Sequence, residues 1–296
     1  MHEHAPLAPL TTLRVGGPAD LLAEVRSADE ALAALRLARE AGVAVSWLGG
    51  GSNLLVGDRG VRGLVVRWHG GAVSSPAPDR VRAEAGVTIN GLVRHTIGHG
   101  LAGLAEWAGT PGTVGGAVRG NAHFKGRMIA ETIVSVCVAA RDGSVAHVPA
   151  AEMEFGYDRS RLQRTGELAL AADFRVSAGA PAPLRERARE SLAFRKRTQP
   201  LALPSAGCVF QNPDPADARL PLGIPASAGA LVDAAGLKGA ACGGARVSPV
   251  HANFVVNEGG ASARDVAGLI ERMRAAVAER FGVSLEEEIV RLGEFD

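Results

Sequence analysis

Cys208 stands in a setting that suits proton transfer. Within the stretch SAGCVFQNP, residues 205–213, it lies between a glycine and an apolar pair, beside a turn. A thiol is a stronger acid than an alcohol, and it stays mostly protonated at neutral pH unless a cation lowers its pKa. Cys208 could therefore deliver a single proton to a substrate. The alternative is a small buried side chain without a chemical function, because free cysteines are commonly buried.

A carboxylate near the C-terminus could assist such a donor. The sequence LEEEI at residues 285–289 places three glutamates in a row between apolar residues. Like charges and partial burial would raise the pKa of one of these carboxyls toward a range that is useful for general acid catalysis. The alternative is a solvated acidic run.

Two glycine-rich segments could hold phosphate groups. The first, LGGGSNLL at residues 48–55, follows a predicted strand, where glycines let the backbone turn sharply and present consecutive amides to an anion. The second, GTPGTVGGA at residues 109–117, alternates glycines, hydroxyls and one proline. The first segment matches neither the Rossmann nor the Walker A pattern, and alone it could be a tight turn between strands. Together, the two loops could clasp a pyrophosphate.

A mixed set of helices and strands must position these segments. The capping box at residues 27–30 predicts a helix that ends near Gly42, and β-rich runs at 43–48 and 63–68 flank the first glycine-rich loop. An amphipathic pattern from 262 to 281 predicts a long helix that covers a small sheet. These patterns predict the α+β class.

A change of composition predicts the domain boundary. Residues 178–183 read AGAPAP, and proline with small residues disfavours regular structure. A basic helix is predicted to follow at 184–198. We expect two domains, residues 1–178 and 179–296.

Composition excludes several classes of partner. Lysine and arginine number 32 against 31 aspartates and glutamates, and aromatic residues make up 4%, so neither nucleic acid nor an anionic membrane is an expected partner. The three cysteines form no C-x-x-C pair, which fits a reducing cytoplasm. Although His95 and His99 have a spacing that can bind zinc, Gly98 interrupts the helix, and we predict no metal site. We expect a soluble, unexported, cytoplasmic monomer.

Several segments, in order along the chain, resemble the UDP-N-acetylenolpyruvoylglucosamine reductase (MurB) family. Its flavin-binding half is similar to LTTLRVGGPAD at 10–20, LGGGSNLLVGDRG at 48–60 and AGTPGTVGGAVRGN at 108–121. The similarity continues through SAGCVFQNP at 205–213, GLKG at 236–239, SPVHANF at 248–254 and LEEEIVRLGEF at 285–295, and so covers nearly the whole chain. The short connection from Val176 to Gln199 resembles the second, shorter type of the family.

The resemblance implies a fold, an activity and two cofactors. The implied fold is an FAD-binding fold of the vanillyl-alcohol-oxidase (PCMH) type in two lobes, with a smaller α+β substrate-binding domain after it. The implied reaction reduces the enolpyruvyl ether of UDP-N-acetylglucosamine to UDP-N-acetylmuramate, for peptidoglycan synthesis. FAD is expected to be bound non-covalently, and NADPH is the expected co-substrate.

The resemblance also implies three catalytic residues. Cys208 occupies the position of the serine that protonates C2 in most of the family, and Glu288 matches the family's active-site glutamate. Arg159 is the candidate cation for the substrate carboxylate or enolate. The family's Tyr-Arg-x-Ser order is changed here to Tyr157-Asp158-Arg159-Ser160, which displaces the cation by one position. On an extended segment that shift turns it to the opposite face, so Arg159 can serve only if the backbone is irregular, and Arg161 and Arg164 remain substitutes.

Further residues are candidates for ligand binding. Tyr157 could bind a substrate phosphate or carboxylate, or cap a core cluster. Lys238 could meet a phosphate, as could the basic helix with Arg195, or either could be a solvated charged face. The family's usual lysine is replaced by Ala230. The expected substrate-binding residues are Tyr157, Lys238, Asn212 and His251. The expected cofactor-binding residues are Gly49, Gly50, Gly51, Ser52, Asn53, Leu54, Gly109, Thr110, Pro111, Gly112, Thr113, Gly115, Gly116, Ala117 and Asn121.

Two other functions remain open from the sequence. One is a flavin oxidase of the same fold that passes substrate hydrides to oxygen. The other is a catalytically silent module that binds flavin or a nucleotide sugar.

Overall fold

The structure is a computed structural model and describes residues 1–295. Short 3-10 helices occur at Ala8–Leu10, Ala105–Trp107, Ile129–Thr132 and Ala150–Glu152. The α-helices of the described residues are α1 (Ala28–Glu40), α2 (Ile89–Gly98), α3 (Val114–Arg119), α4 (Arg161–Thr165), α5 (Pro181–Thr198), α6 (Ala228–Ala234) and α7 (Ala263–Phe281).

Short strands alternate with these helices along the chain. The strands of the described residues are β1 (His2–Pro6), β2 (Pro18–Val25), β3 (Val45–Leu48), β4 (Leu54–Val56), β5 (Val61–Trp68), β6 (Val73–Ala77), β7 (Arg80–Glu84), β8 (Leu101–Ala102), β9 (His123–Phe124), β10 (Arg127–Met128), β11 (Ile133–Ala139), β12 (Val145–Pro149), β13 (Leu168–Arg175), β14 (Ser177–Ala178), β15 (Ser205–Cys208), β16 (Ala241–Cys242), β17 (Ala245–Val247), β18 (Phe254–Asn257) and β19 (Val290–Leu292).

The chain divides into two compact units, each built from separate stretches of sequence. The first comprises Met1–His2, Leu21–Gly50 and Gly63–Arg195. The second comprises Glu3–Asp20, Gly51–Arg62 and the described residues from Lys196 onward. The units divide after Arg195 and draw on short N-terminal stretches, and the domain boundary at residue 178 stays a prediction.

The first unit is organised around an antiparallel sheet in the order β12-β11-β13-β7-β6. Its main core includes Val136, Phe174 and Leu92, and α3 packs against β13. The strands β3 and β5 pair in parallel, with Val45 opposite Leu64. Helix α1 begins as predicted, because the Ser27 hydroxyl accepts a 3.2 Å hydrogen bond from the Glu30 amide.

The second unit has a sheet of order β15-β18-β17-β16. Helix α7 packs against β16 and β17 through the apolar positions that the sequence pattern identified. Those positions include Val266, Ile270 and Met273, which are buried, so the predicted long helix over a small sheet is confirmed. Strand β4 pairs in parallel with β19, which lies close to the C-terminus.

The predicted linker at residues 178–183 is wrong in part. Helix α5 begins at Pro181, three residues before the predicted start. Proline has no amide hydrogen and a fixed φ, and both properties suit the first turn of a helix as well as they suit a linker. The composition was therefore compatible with either structure.

Candidate active site

The two glycine-rich loops meet in the first unit. Gly49 and Gly50 directly follow β3, and a Cβ atom added to Gly50 would lie 2.6 Å from the Cα of Gly112. A Cβ at Gly49 would collide with the hydroxyl oxygen of Thr113. Only glycine permits this close approach, and the two backbones form one cradle that fits an anionic dinucleotide.

The second loop is fixed to the sheet by its own amides. Val114 and Gly115 donate hydrogen bonds of 2.8 Å each to the carbonyls of Val87 and Ala85. The Thr113 hydroxyl accepts a 3.5 Å hydrogen bond from the Gly116 amide and so caps α3. These contacts give Thr113 and Gly115 a role in shaping the loop, and their contact with a cofactor stays a prediction, as does that of Ala117.

A buried cation supports the start of this loop. Arg195 is 5% exposed, and its guanidinium donates a 2.7 Å hydrogen bond to the hydroxyl of Thr110. The same group lies 3.6 Å from the ring centroid of Phe124. Burial lowers the pKa of Arg195 to about 10, so it remains charged at neutral pH. Within residues 1–295 no carboxylate pairs with it, and its Nε has no hydrogen-bond partner.

Asn90 fixes the same stretch of backbone. Its side chain accepts a 2.7 Å hydrogen bond from the Gly109 amide and donates one of 3.2 Å to the Thr110 carbonyl. Sequence reasoning missed Asn90, because a single polar residue in a helix carries no local signal of the loop it contacts. The neighbouring residues Pro111 and Gly112 complete the predicted cradle.

The segment with the candidate cation is a tight turn. The backbones of Gly156 and Arg159 exchange hydrogen bonds of 3.0 and 3.2 Å, and Asp158 has a φ of 51°. The backbone is therefore irregular, which is the condition that Arg159 required. Arg159 is exposed and lines a surface groove with Phe155. Its proposed catalytic role stays a prediction.

The other two arginines of this region are engaged elsewhere. Arg161 binds Glu167 through two hydrogen bonds of 2.9 and 2.8 Å. Arg164 forms an ion pair with Glu154. Whether either can replace Arg159 stays a prediction.

Asn121 connects the turn to the loop after α3. The side chain is fully buried, and its amide donates a 2.8 Å hydrogen bond to the Gly156 carbonyl. Its oxygen accepts a 3.1 Å hydrogen bond from the Ala130 amide. Asn121 thus holds two segments together, and its predicted contact with a cofactor remains a prediction.

In the second unit, the first glycine-rich loop continues toward the C-terminal strand. Gly51 has a φ of 59°, and a Cβ there would lie 2.8 Å from the Cα of Thr11. Asn53 donates a 3.0 Å hydrogen bond to the Glu288 carbonyl, and its own carbonyl accepts one of 3.0 Å from Val290. Leu54 begins β4 opposite Val290. Asn53 therefore positions the glutamate segment, while cofactor contacts of Ser52, Asn53 and Leu54 stay predictions.

The second unit brings the segments of Cys208 and Glu288 together. The Glu288 amide donates a 2.8 Å hydrogen bond to the carbonyl of Val209, the residue after Cys208. The side chain of Asn253 binds both the amide and the carbonyl of Phe210, at 3.0 and 2.7 Å. Asn253 is 2% exposed, so this clamp fixes the backbone beside the thiol. Cys208 itself is half-buried.

Glu287, the middle residue of the three glutamates at 286–288, is held by arginines. Burial alone would raise the pKa of Glu287, but hydrogen bonds from Arg291 and Arg274 outweigh it, and the pKa is lowered. Arg291 also binds Glu271 at 2.8 Å. Arg291 and Glu287 thus belong to a network of ion pairs. Glu288 is the next residue along the chain, and its catalytic role stays a prediction.

The predicted substrate-binding residues of the second unit have structural partners. Asn212 accepts a 3.1 Å hydrogen bond from the Ala228 amide at the start of α6. Lys238 pairs with Asp233 at 2.6 Å. His251 accepts a 3.2 Å hydrogen bond from the Asn253 amide, and burial, followed by the charge of Lys238, lowers its pKa. Their contacts with substrate stay predictions.

Comparison with known proteins defines the class and then the family. Residues 19–149 match the family described as FAD binding domain, so this protein is of the FAD-binding class. Residues 199–292 match the family described as UDP-N-acetylenolpyruvoylglucosamine reductase, C-terminal domain. The chain belongs to the UDP-N-acetylenolpyruvoylglucosamine reductase family.

Relatives along the full length support this assignment. The chain is 42% identical to a UDP-N-acetylenolpyruvoylglucosamine reductase of Synechococcus sp. (strain WH7803), over 99% of this chain and 93% of that protein. It is 43% identical to the enzyme of that name from Myxococcus xanthus (strain DK1622), over 98% and 91% of the two chains. The crystal structure of the reductase from Thermus caldophilus is similar, with a TM-score of 0.78, 34% identity and 97% of each chain covered. The α+β class and the FAD-binding domain are confirmed.

Among the helices of residues 1–295, none combines the length and apolar character that crossing a bilayer would require.

Proposed function

We propose that this protein is an NADPH-dependent flavoenzyme that reduces UDP-N-acetyl-3-O-(1-carboxyvinyl)-glucosamine to UDP-N-acetylmuramate in peptidoglycan precursor synthesis. Full-length similarity to reductases of this name supports the proposal. FAD, when bound in the glycine-rich cradle, would supply the hydride chemistry that links NADPH to C3 of the enolpyruvyl group. The protein must then stabilise negative charge on the carboxylate side and supply one proton to C2.

The observation that carries this assignment is the backbone link between Val209 and Glu288. It places the thiol-bearing segment and the glutamate segment side by side in the second unit. In this proposal Cys208 gives its proton to C2. Glu288 polarises or protonates the developing enol, and the clamp of Asn253 keeps the thiol segment in place.

Residues of the first unit would hold the cofactor and the anionic end of the substrate. The cradle of Gly49, Gly50 and Gly112 fits the pyrophosphate of FAD, because backbone amides can approach phosphate closely where no Cβ intervenes. Arg195 is a positioning residue that holds Thr110 in this cradle. Arg159 is the proposed cation for the substrate carboxylate.

The cellular setting is part of the proposal. UDP-sugar and NADPH are the proposed ligands, and the cysteines of residues 1–295 form no disulfide, which suits a cytoplasmic protein. Through peptidoglycan supply the enzyme would serve cell shape and cell division. A monomer is the proposed state.

Two measurements on purified protein test the function. We expect yellow protein that consumes NADPH only when the enolpyruvyl sugar nucleotide is present. A flavin oxidase would instead consume oxygen with another substrate, and a silent module would hold flavin that NADPH cannot reduce. Either result contradicts the proposal.

The role of Glu288 is tested by comparison with its neighbour. We expect Glu288→Gln to slow reoxidation of the reduced flavin by substrate by about a hundredfold, the lower range for general acid catalysis. Glu286→Gln is the control, because Glu286 is exposed. Unchanged turnover of Glu288→Gln would exclude this carboxylate.

A further inference from the structure

A histidine that sequence reasoning passed over lies in a tight cluster of the first unit. The Nδ1 atom of His123 is 3.0 Å from Oδ1 of Asp158. Its Nε2 atom is 3.4 Å from the hydroxyl of Tyr157, and the two rings pack at a centroid distance of 4.6 Å. The His123 and Asp158 side chains are 23% and 11% exposed, so the pair is largely shielded from water.

The surrounding backbone holds this cluster in one geometry. Asp158 sits at the third position of the turn from Gly156 to Arg159, with a φ of 51° that aspartate tolerates better than most residues. Asn121, two residues before His123, binds the Gly156 carbonyl. The Ser160 hydroxyl donates a 2.8 Å hydrogen bond to the Arg119 carbonyl. Both ends of the turn are therefore tied to the segment that carries His123.

The contact with His123 can compensate the negative charge that Asp158 introduces into the turn. Asp158 stands where the family's Tyr-Arg-x-Ser order has its arginine, and an uncompensated carboxylate there would repel the negative charge that develops on the substrate. A carboxylate at 3.0 Å stabilises an imidazolium, so His123 can neutralise Asp158. The Oδ2 atom of Asp158 is buried and has no hydrogen-bond partner within residues 1–295. Asp158 therefore contacts His123 through Oδ1.

We propose that His123, held by Asp158, binds the anionic end of the substrate and stabilises the enolate beside Arg159. This inference rests on the proposed function. Since Nδ1–H is directed to Asp158, the donor to the substrate is Nε2–H. The 3.4 Å contact with the Tyr157 hydroxyl is long for a hydrogen bond, and an anionic oxygen is a stronger acceptor that can replace it. Tyr157 then acts as a positioning residue through its ring.

Binding of two nucleotide sugars to the purified holoenzyme tests this directly. UDP-N-acetylmuramate carries a carboxylate and UDP-N-acetylglucosamine does not. We expect His123→Asn to lower the affinity for UDP-N-acetylmuramate by about tenfold to a hundredfold, as for loss of one charge-assisted hydrogen bond. The affinity for UDP-N-acetylglucosamine should change less than about threefold. Asparagine keeps a donor toward Asp158 but cannot carry a positive charge. His147→Asn is the matched control, because His147 is exposed on β12.

Half-reaction kinetics provide a second readout. We expect His123→Asn to slow reoxidation by the enolpyruvyl sugar nucleotide at least about tenfold, while flavin reduction by NADPH changes less than about threefold. Adding Asp158→Asn should restore part of the lost rate, since it removes the unpaired carboxylate. If His123→Asn does not retain flavin, His123→Gln carries the same measurements.

Three results would overturn the inference. The first is equal weakening of both nucleotide sugars, and the second is equal slowing of both half-reactions. The third is a double variant slower than His123→Asn alone. If the enolpyruvyl substrate does not reoxidise the reduced flavin of the wild-type protein, the proposed function is wrong. The inference about His123 is then wrong as well.

Discussion

At the scale of single residues, the main question is how a thiol replaces the usual alcohol as proton donor. Cys208 is half-buried, and the backbone on its C-terminal side is fixed by Asn253 and by the Glu288 amide. A donor held by its neighbours loses little entropy when it meets its substrate. The exchange of serine for cysteine therefore leaves the proposed chemistry possible.

Removal of the thiol should separate the two half-reactions. We expect Cys208→Ala to reduce the rate of flavin reoxidation by substrate at least about a hundredfold, because Cys208 is the proposed proton donor to C2. Flavin reduction by NADPH should stay nearly intact in stopped-flow traces. Cys242→Ala, on β16, is the control. Equal slowing of both steps would argue against the proton-donor assignment.

At the scale of elements, the two glycine-rich loops depend on their close contact. We expect Gly50→Ala to push the loops apart, because its Cβ would lie 2.6 Å from the Cα of Gly112. The affinity for FAD should fall at least about tenfold, a loss comparable to one or two hydrogen bonds. Fluorescence titration of the apoprotein with FAD measures it.

The matched control is Gly98→Ala in α2, where an added Cβ meets nothing within 4 Å. This substitution should leave flavin affinity unchanged and should stabilise the helix slightly. If both variants bind FAD as the wild type does, the loop contact is not required for the cradle.

A second contact between elements joins α7 to the C-terminal strand. Glu287 accepts hydrogen bonds from Arg274 on α7 and Arg291 on β19, and its pKa is lowered in the folded state. The ionised carboxylate therefore stabilises the fold in full above the unfolded-state pKa of about 4.3, and this contribution is lost as pH falls through the folded-state pKa.

We expect Glu287→Gln to lower the free energy of unfolding by about 1 to 2 kcal/mol at pH 7. The difference from wild type should shrink in urea unfolding experiments as the pH falls below the unfolded-state pKa, and it should vanish below the lowered pKa of the folded state. Glu286→Gln should cost little at either pH. A difference that does not depend on pH would show that the ion pairs contribute nothing.

At the scale of the whole molecule, the second unit is built from three separate stretches of chain. Leu13, Val15 and Leu55 are at most 2% exposed and belong to the same core as Phe210 and Ile270. A domain made only of residues 179–296 would lack the side chains of Leu13, Val15 and Leu55. The division into units thus differs from the domain boundary that composition predicted.

We expect the isolated fragment 179–296 to remain unfolded or to form a loosely packed state. Each missing large apolar side chain leaves a cavity that costs about 2 to 5 kcal/mol, and three such losses are comparable to the whole stability of a typical domain. Circular dichroism during thermal unfolding measures this. A cooperative transition in the fragment would contradict the expectation.

Local patterns predicted much of this structure but not its long-range contacts. Helices α1 and α7 were predictable because their caps and apolar spacing lie within the helices themselves. The link between Glu288 and Val209, and the pairing of His123 with Asp158, join residues far apart in sequence. In the turn, Asp158 occupies the position where the family has an arginine. The sequence pattern does not predict that His123 contacts this carboxylate. The family resemblance identified Cys208 and Glu288, whereas His123 and Asn90 were found only through their contacts in the structure.

The pairing of β4 with β19 has a consequence for synthesis on the ribosome. Leu54–Val56 leave the ribosome long before their partner strand, Val290–Leu292, is translated. At about 5 to 20 residues per second, more than ten seconds pass between the two events. During this time the strand that contains Leu55 lacks its native partner strand. The nascent chain therefore stays soluble only if aggregation is slower than synthesis or if a chaperone binds it.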